Sequence, residues 1–136
     1  EPAAGAGWVP KNVRLINVGL ERLARLHARL IDDEYDRGKA TQLFMKMMTQ
    51  RPYQLVEFKP ALGFIFEEYL TNYTHWAFGD LDVLMGDLLS WMDPDELTDF
   101  DIFTYGFGDQ FRMYTRGQWT VHQNTPRVNN AFRGCS

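Results

Sequence analysis

Two carboxylates, Asp80 and Asp82, stand at i and i+2 directly after the aromatic run T-H-W-A-F-G of residues 74–79. Side chains alternate faces along a strand, so two acids at that spacing leave a strand end in the same direction. Two hard oxygen ligands on one side suit Mg²⁺ or Mn²⁺, which take one or two carboxylates and let substrate phosphates complete the shell. The same D-x-D also reads as a solvated turn. Here, however, an aromatic run precedes the pair and the apolar Val83-Leu84-Met85 follows it, so the acids interrupt an element of buried character. Uncompensated charge is costly in such a place. Cys135 is the one cysteine, which excludes an internal disulfide framework and a Cys-rich zinc module. Asn72-Tyr73-Thr74 fits N-x-[ST], a glycan acceptor if the chain enters the secretory pathway.

The elements that must hold these residues can be read from periodicity and punctuation. Asn12 to Val18 is β-branched, partly alternating and closed by Gly19, which predicts a strand. Leu20, Leu23, Leu26, Leu30 and Ile31 recur at helical spacing opposite Arg22, Arg25 and Arg29, predicting an amphipathic helix that stops near Gly38. His27 lies on the Arg-bearing helix and reads as a surface residue. Ala40 to Met48 predicts a second short helix whose methionines read as core contacts, with an adaptable binding groove as the alternative. Pro60 opens a third, with Leu62, Ile65, Phe66, Tyr69 and Leu70 on one face and an end near Thr71 or Asn72. Residues 74–79 predict a buried strand. Asp93, Pro94, Asp95 and Glu96 mark a short helix that ends before Asp101. Ile102 to Tyr105 is strand-like, and Phe111 to Thr115 with Trp119 to His122 predict a hairpin around Arg116-Gly117. Thr125-Pro126 opens a last helix through Val128 and Phe132. Without repeats or linkers, residues 1–136 read as one domain.

Composition narrows the function classes. The 136 residues are 45% hydrophobic and 15% aromatic, enough apolar material for a core and unlike a disordered chain. With 14 Lys+Arg against 18 Asp+Glu the net charge is −4, and no basic stretch offers the footprint that duplex nucleic acid needs. Nucleic acid is therefore not an expected partner. The longest apolar runs, such as Ala61 to Phe66, fall well short of the roughly 20 residues of a membrane span. The chain begins with Glu1, and residues 1–7 lack the features of a signal peptide, which reads as a processed or cut start.

The stretch P-Y-Q-L-V-E-F-K-P-A-L-G-F-I-F-E-E-Y-L followed by W-A-F-G-D-L-D-V-L-M-G-D-L, from Pro52 to about Leu89, resembles the core of GT-A-type nucleotide-sugar-dependent glycosyltransferases. It is most similar to a poorly characterised branch with a D-F-K-P-A-x-G helix start before a D-x-D-x-x-x-G-D strand end; the likeness extends loosely over Asp101 to Phe132. The resemblance implies a mixed, mainly parallel α/β sheet flanked by helices, Rossmann-related and incomplete in this chain. It implies transfer of a sugar from a nucleotide-diphosphate donor to a glycan or other hydroxyl acceptor, as in polysaccharide biosynthesis. Asp82 is then the metal ligand for Mn²⁺ or Mg²⁺, and Asp80 reaches the ribose or a metal-bound water. Glu57 and Lys59 match the acidic-x-basic pair that faces the nucleotide or the departing phosphates. Lys59 reads equally as a solvated lysine at a helix entry, and Asp87 as a cap for the turn after it.

The sequence departs from that pattern in two residues. Glu57 stands where the family has Asp, and Gly117-Gln118-Trp119-Thr120 lacks the family's His. Gln118 cannot act as a general base, so the catalytic residue stays unassigned. His122, four residues on, reads as an ordinary hydrogen-bonded histidine or as a contributor to the metal or acceptor side; His75 takes the same bland reading. Tyr105, Phe107, Phe111, Tyr114 and Trp119 read mainly as core, with a glycan-stacking face as the alternative. The resemblance also implies that this chain is the central part of a larger catalytic domain, leaving a Golgi or secretory site and the cytoplasmic face of a membrane both open. Two rivals remain. One is a non-catalytic transferase-like scaffold. The other is a haloacid-dehalogenase-type phosphatase, disfavoured because Leu84 replaces its Thr or Val and no lysine follows Lys59.

Overall fold

The computed structural model describes residues 10–80, 82–83, 86–104 and 118–134. The predicted loop at Gly106 to Asp109, the strand at Phe111 to Thr115 and the hairpin turn at Arg116-Gly117 lie outside them. So do Leu84, Met85, Cys135 and the aromatics Tyr105, Phe107, Phe111 and Tyr114.

The first predicted strand is absent: residues 13–19 run without regular structure. Leu15 is 79% exposed, so the β-branched run finds no partner strand among the described residues. Gly19 opens a helix instead of closing a strand. Its φ of +72° and ψ of 155° suit glycine alone, and α1 spans Leu20–Ala28 directly after it. The N–H groups of Leu30 and Ile31 bond three residues back, to His27 and Ala28, and this tightened turn ends α1 well before Gly38. The acidic run then begins the next helix. The Asp33 carboxylate accepts from the backbone N–H of Tyr35 (2.8 Å) and Asp36 (3.4 Å), capping α2, Glu34–Gln50. Gly38 lies inside α2, with nothing within 4 Å of where a Cβ would stand.

α1 buries Ala24, Leu26, His27 and Ala28 while Leu20 and Ile31 stay exposed, so the buried stripe is rotated from the leucine ladder towards two alanines that allow α2 close. Pro52–Ala61 then forms a 3₁₀ stretch bracketed by Pro52 and Pro60. The helix expected after Pro60 is broken in two, α3 at Leu62–Ile65 and α4 at Glu67–Leu70. The break is Phe66 (φ −105°, ψ 20°), where Tyr69 bonds only three residues back to the Phe66 carbonyl. The predicted apolar face survives the break: Ile65 is fully buried with Leu26 and Ala61, and Phe58, Phe66, Tyr69 and Phe132 pack around them.

Three strands follow, β1 His75–Gly79, β2 Ile102–Phe103 and β3 Trp119–Gln123, in the order β1-β3-β2. Both pairings are antiparallel, His75 opposite Gln123 and Ile102 opposite His122. This corrects the mainly parallel, Rossmann-related sheet that the resemblance implied. A parallel sheet is built from strand-helix-strand crossovers. Here α1 to α4 all come ahead of β1 with no strand before or between them among the described residues, and the strands that follow pair antiparallel. β1 buries Trp76 and Phe78 and exposes Ala77 and Gly79, whereas central β3 buries Trp119 through His122. Between β1 and β2 lie α5 (Leu88–Trp91) and α6 (Glu96–Asp99). The Asp93 carboxylate accepts from Asp95 N–H while Asp93 N–H donates to the Glu96 carboxylate, bracing the turn before α6, which opens at Glu96, two residues after the predicted start at Pro94. α7, Pro126–Asn129, is capped by the Thr125 hydroxyl, and a 3₁₀ turn, Ala131–Gly134, takes over before the expected helix could reach Phe132. No described helix is long and apolar enough to cross a membrane.

One contact fixes how the helices meet the sheet. A Cβ on Gly63 would lie 2.5 Å from the Trp76 indole and 2.5 Å from Asn129 Oδ1. Gly63→Ala is therefore expected to destabilise the fold by about 1–3 kcal/mol in urea unfolding, since neither a ring nor a bonded amide can yield cheaply. Gly38→Ala should do the reverse. Its helical site is open, so removing glycine's freedom in the unfolded chain should stabilise by about 0.5–1 kcal/mol, raising the melting temperature by about 2–4 °C.

Candidate functional site

Lys59 and Asp80 come from the two halves of the sequence motif, and the fold brings them together. The Lys59 ammonium is ion-paired with Asp80 Oδ1 and lies 5.5 Å from the Phe78 ring centroid. Its position follows from the 3₁₀ stretch, which lays Lys59 over the face of the sheet that carries Phe78. The Lys59 side chain is 17% exposed and that of Asp80 35%, so the pair is sheltered and water still reaches the carboxylate. Asp80 N–H donates to the Gln118 carbonyl (3.1 Å), adding one rung to the β1–β3 ladder, and its carbonyl accepts from Val83 N–H (3.2 Å), which turns the chain. Asp82 stands exposed on that turn.

Glu57 does not join them. In a 3₁₀ helix residues three apart eclipse, so residues two apart face different ways. Glu57 is exposed and, like Asp82, unpaired among the described residues. No three His, Cys, Asp or Glu side chains among the described residues form a metal cluster. Asp80 and Asp82 carry the carboxylate oxygens that a hard divalent cation takes, but Asp80 is paired with Lys59 and Asp82 stands on the turn beyond the strand, so the two do not leave the strand end side by side as their spacing predicted. An open groove of about 500 Å³ between the 16–19 segment, α1, Phe66 and α4 contains none of the four site residues. Its lining of Ile16, Val18, Leu23, Phe66 and Tyr69 is unsuited to a diphosphate.

The histidines need correction. His27 is not on the surface: it is 3% exposed, set against Phe44 and Phe58 with ring centroids 5.5 Å away. Its Nδ1–H donates to the Leu23 carbonyl at 2.9 Å, and burial pushes its pKa down. His122 is not an ordinary hydrogen-bonded residue either. Neither ring nitrogen has a hydrogen-bond partner among the described residues, the residue is 3% exposed, and the ring stacks on Trp76 at 4.1 Å with 4° between planes. Burial pushes its pKa down to about 4. It faces Trp76, four residues along β1 from Asp80, about 13 Å at the rise of a strand, and so lies away from the carboxylates. His75 does match its reading, with Nε2–H donating to the Leu97 carbonyl at 2.9 Å. Asp87 stands just before α5 and accepts the Ser90 hydroxyl at 2.6 Å, a structural role. Trp119 is core, and Asn72 is exposed on the turn before β1.

A buried amide chain escaped the sequence. Trp76 Nε1–H donates to Asn129 Oδ1 (2.8 Å), Asn129 donates to Asn124, and Asn124 donates to the Leu70 and Tyr73 carbonyls. Trp76 and Asn129 are 53 residues apart, and only the Asn-rich composition of 124–130 hinted at it.

A family model described as a family of unknown function, DUF6625, matches residues 7–136. The chain belongs to the DUF6625 family. No curated protein and no solved structure matches closely enough to show kinship. The DUF6625 match spans both halves of the motif and therefore includes the Lys59–Asp80 pair.

The histidines give this DUF6625 chain a pH signature. The folded pKa of His122, about 4, lies below its value of about 6.5 in the unfolded chain, so between these values the unfolded state binds more protons. The stabilisation is complete above about pH 6.5 and is lost as the pH falls towards 4, amounting to about 3 kcal/mol, with His27 adding in the same direction. His122→Phe should flatten that acid limb in urea unfolding measured from pH 7 to pH 4. An unchanged slope would show that His122 is protonated in the fold.

Proposed function

We propose that this chain forms the donor-diphosphate side of a nucleotide-sugar-dependent glycosyltransferase-like protein. The observation that supports the reading is the ion pair between Lys59 and Asp80, one residue from each half of the motif, at the end of β1. The reading concerns the site alone, since the sheet is antiparallel where the resemblance implied a parallel one.

In this reading Asp82 and Asp80 hold Mn²⁺ or Mg²⁺ with the diphosphate of the donor. Lewis-acid stabilisation of the leaving diphosphate is the chemistry such a cation supplies. Lys59 adds a positive charge within reach of the same phosphates, held in place by its pairing and by Phe78. Exposed Asp82 can take a ligand without first giving up a partner among the described residues. Glu57, exposed and two residues before Lys59 in the 3₁₀ stretch, would meet the nucleoside. The hydroxyl acceptor and the rest of a longer chain complete the proposed partners.

Thermal unfolding of the chain with Mn²⁺ and a panel of nucleoside diphosphates tests this. The melting temperature should rise by several °C for one nucleotide in the presence of Mn²⁺, corresponding to about 2.7 kcal/mol at a hundredfold excess over Kd. Asp82→Asn should abolish the rise. If no nucleotide raises it with the metal present, the transferase reading falls and a non-catalytic scaffold takes its place.

A further inference from the structure

We infer that the outer edge of β1 is a docking site for a basic peptide strand, a role independent of the donor-site reading above. β3 lies on one side of β1 only, and the ladder shows which backbone groups it takes. Asp80 N–H donates to the Gln118 carbonyl and the Thr74 carbonyl accepts from Asn124 N–H, so residues 74, 76, 78 and 80 bond inwards. The N–H and C=O groups of His75, Ala77 and Gly79 therefore point outwards. No backbone hydrogen bond from the described residues reaches these outward groups, and Ala77 and Gly79 are exposed. Natural sheets protect such an edge with lysine, proline, a bulge or a covering element. H-W-A-F-G has neither lysine nor proline, and its pairing with β3 runs from His75 to Gly79 without a bulge. The small side chains of Ala77 and Gly79 leave room for those of an incoming strand.

Charge around the edge selects the occupant. Between Lys59 and Arg112 the chain has no lysine or arginine, while acids recur from Asp80 to Asp101. Asp80 and Asp82 follow the Gly79 end of β1. At the other end His75 Nε2–H donates to the Leu97 carbonyl, which sets α6 there with exposed Asp95 and Asp99. Asp82, Asp95 and Asp99 have no ion pair among the described residues. Edge-to-edge pairing of two copies would set acids against acids in either direction, and a strand this short buries far less than the roughly 1,200 Å² of a stable interface. An extended segment of about seven residues with lysine or arginine at both ends meets acids at both ends while its backbone adds a strand to the sheet.

The test is amide hydrogen exchange read by NMR with two capped peptides, KTVTVTK and its acidic counterpart ETVTVTE. In the free chain the Ala77 and Gly79 amides should exchange fast and those of Trp76 and Phe78 slowly, as the ladder dictates. KTVTVTK should slow Ala77 and Gly79 by about tenfold or more, and ETVTVTE should leave them unchanged. Ala77→Pro removes an outward N–H and none that β3 uses, so it should keep the fold and lose KTVTVTK binding. Should that variant fail to fold, the exchange rates of the wild-type chain decide. No slowing by KTVTVTK at millimolar concentration overturns the inference, and equal slowing by both peptides overturns the basic occupant. Slow exchange of Ala77 and Gly79 in the free chain overturns it too: a dimer by sedimentation would assign the edge to a second copy, and a monomer would show that the chain covers it. The nucleotide-dependent melting shift is read separately, so the donor reading stands or falls on its own.

Discussion

Trp76 is gripped from three directions, and the position of β1 depends on that grip. Its ring face lies on His122, its indole N–H is bonded to Asn129, and its edge meets α3 where Gly63 leaves no room for a methyl group. Each contact ties β1 to a different element, namely β3, α7 and α3. An indole brings a large apolar face and one donor, so it can pack and be hydrogen-bonded at once. Phe78, two residues on and on the same face, supports the Lys59 ammonium, and Asp80 follows at the same spacing. The order along one strand face is thus anchor, support, carboxylate.

The electrostatics separate this pair from the others in the molecule. On α1 and at its C-terminal end, Arg22 pairs with Glu68, Arg25 with Glu21 and Arg29 with Glu67, all with at least one side chain more than half exposed. Such pairs contribute little to stability, and here they neutralise a face that would otherwise be strongly basic. Arg29 also lies 5.1 Å from the Phe64 ring centroid, as does Arg133 from the other end of the described chain, so that ring has two guanidinium neighbours. These arginines are engaged with acids and aromatics on the helices, whereas Lys59 is the cation sheltered beside Asp80 among the described residues.

Signals carried by adjacent residues were legible. The aromatic run before Asp80 is β1, the Thr125-Pro126 cap opens α7, and the apolar face of Leu62, Ile65 and Phe66 is buried where its spacing placed it. What failed was whatever depends on a distant partner. Asn12 to Val18 has the composition of a strand, but a strand exists only beside another, and local composition does not say whether one comes. Strand direction was taken from the resemblance, and the pairings that decide it join residues far apart in sequence. His27 was placed outside because it shares a helix with arginines, whereas Phe44 and Phe58, 17 and 31 residues later, supply its surroundings. Within the site, the pairing of Lys59 with Asp80 was visible only as two motifs of unknown distance, and the divergence of Glu57 required knowing that its segment is 3₁₀.

The antiparallel pairing has a kinetic consequence. α1 and α2 are neighbours in sequence and can dock early, but β1 meets β3 only by closing a long loop, Gly79 against Trp119 and His75 against Gln123. Local contacts form fast and distant ones slowly, because chain entropy must be lost before they give anything back. The rung from Asp80 to Gln118 belongs to the late set, as does the β-edge position from which the carboxylate meets Lys59. During synthesis Lys59 leaves the ribosome long before Trp119 does. The helical half therefore waits with its ammonium in water, and the charged site comes into being only when the last strand arrives.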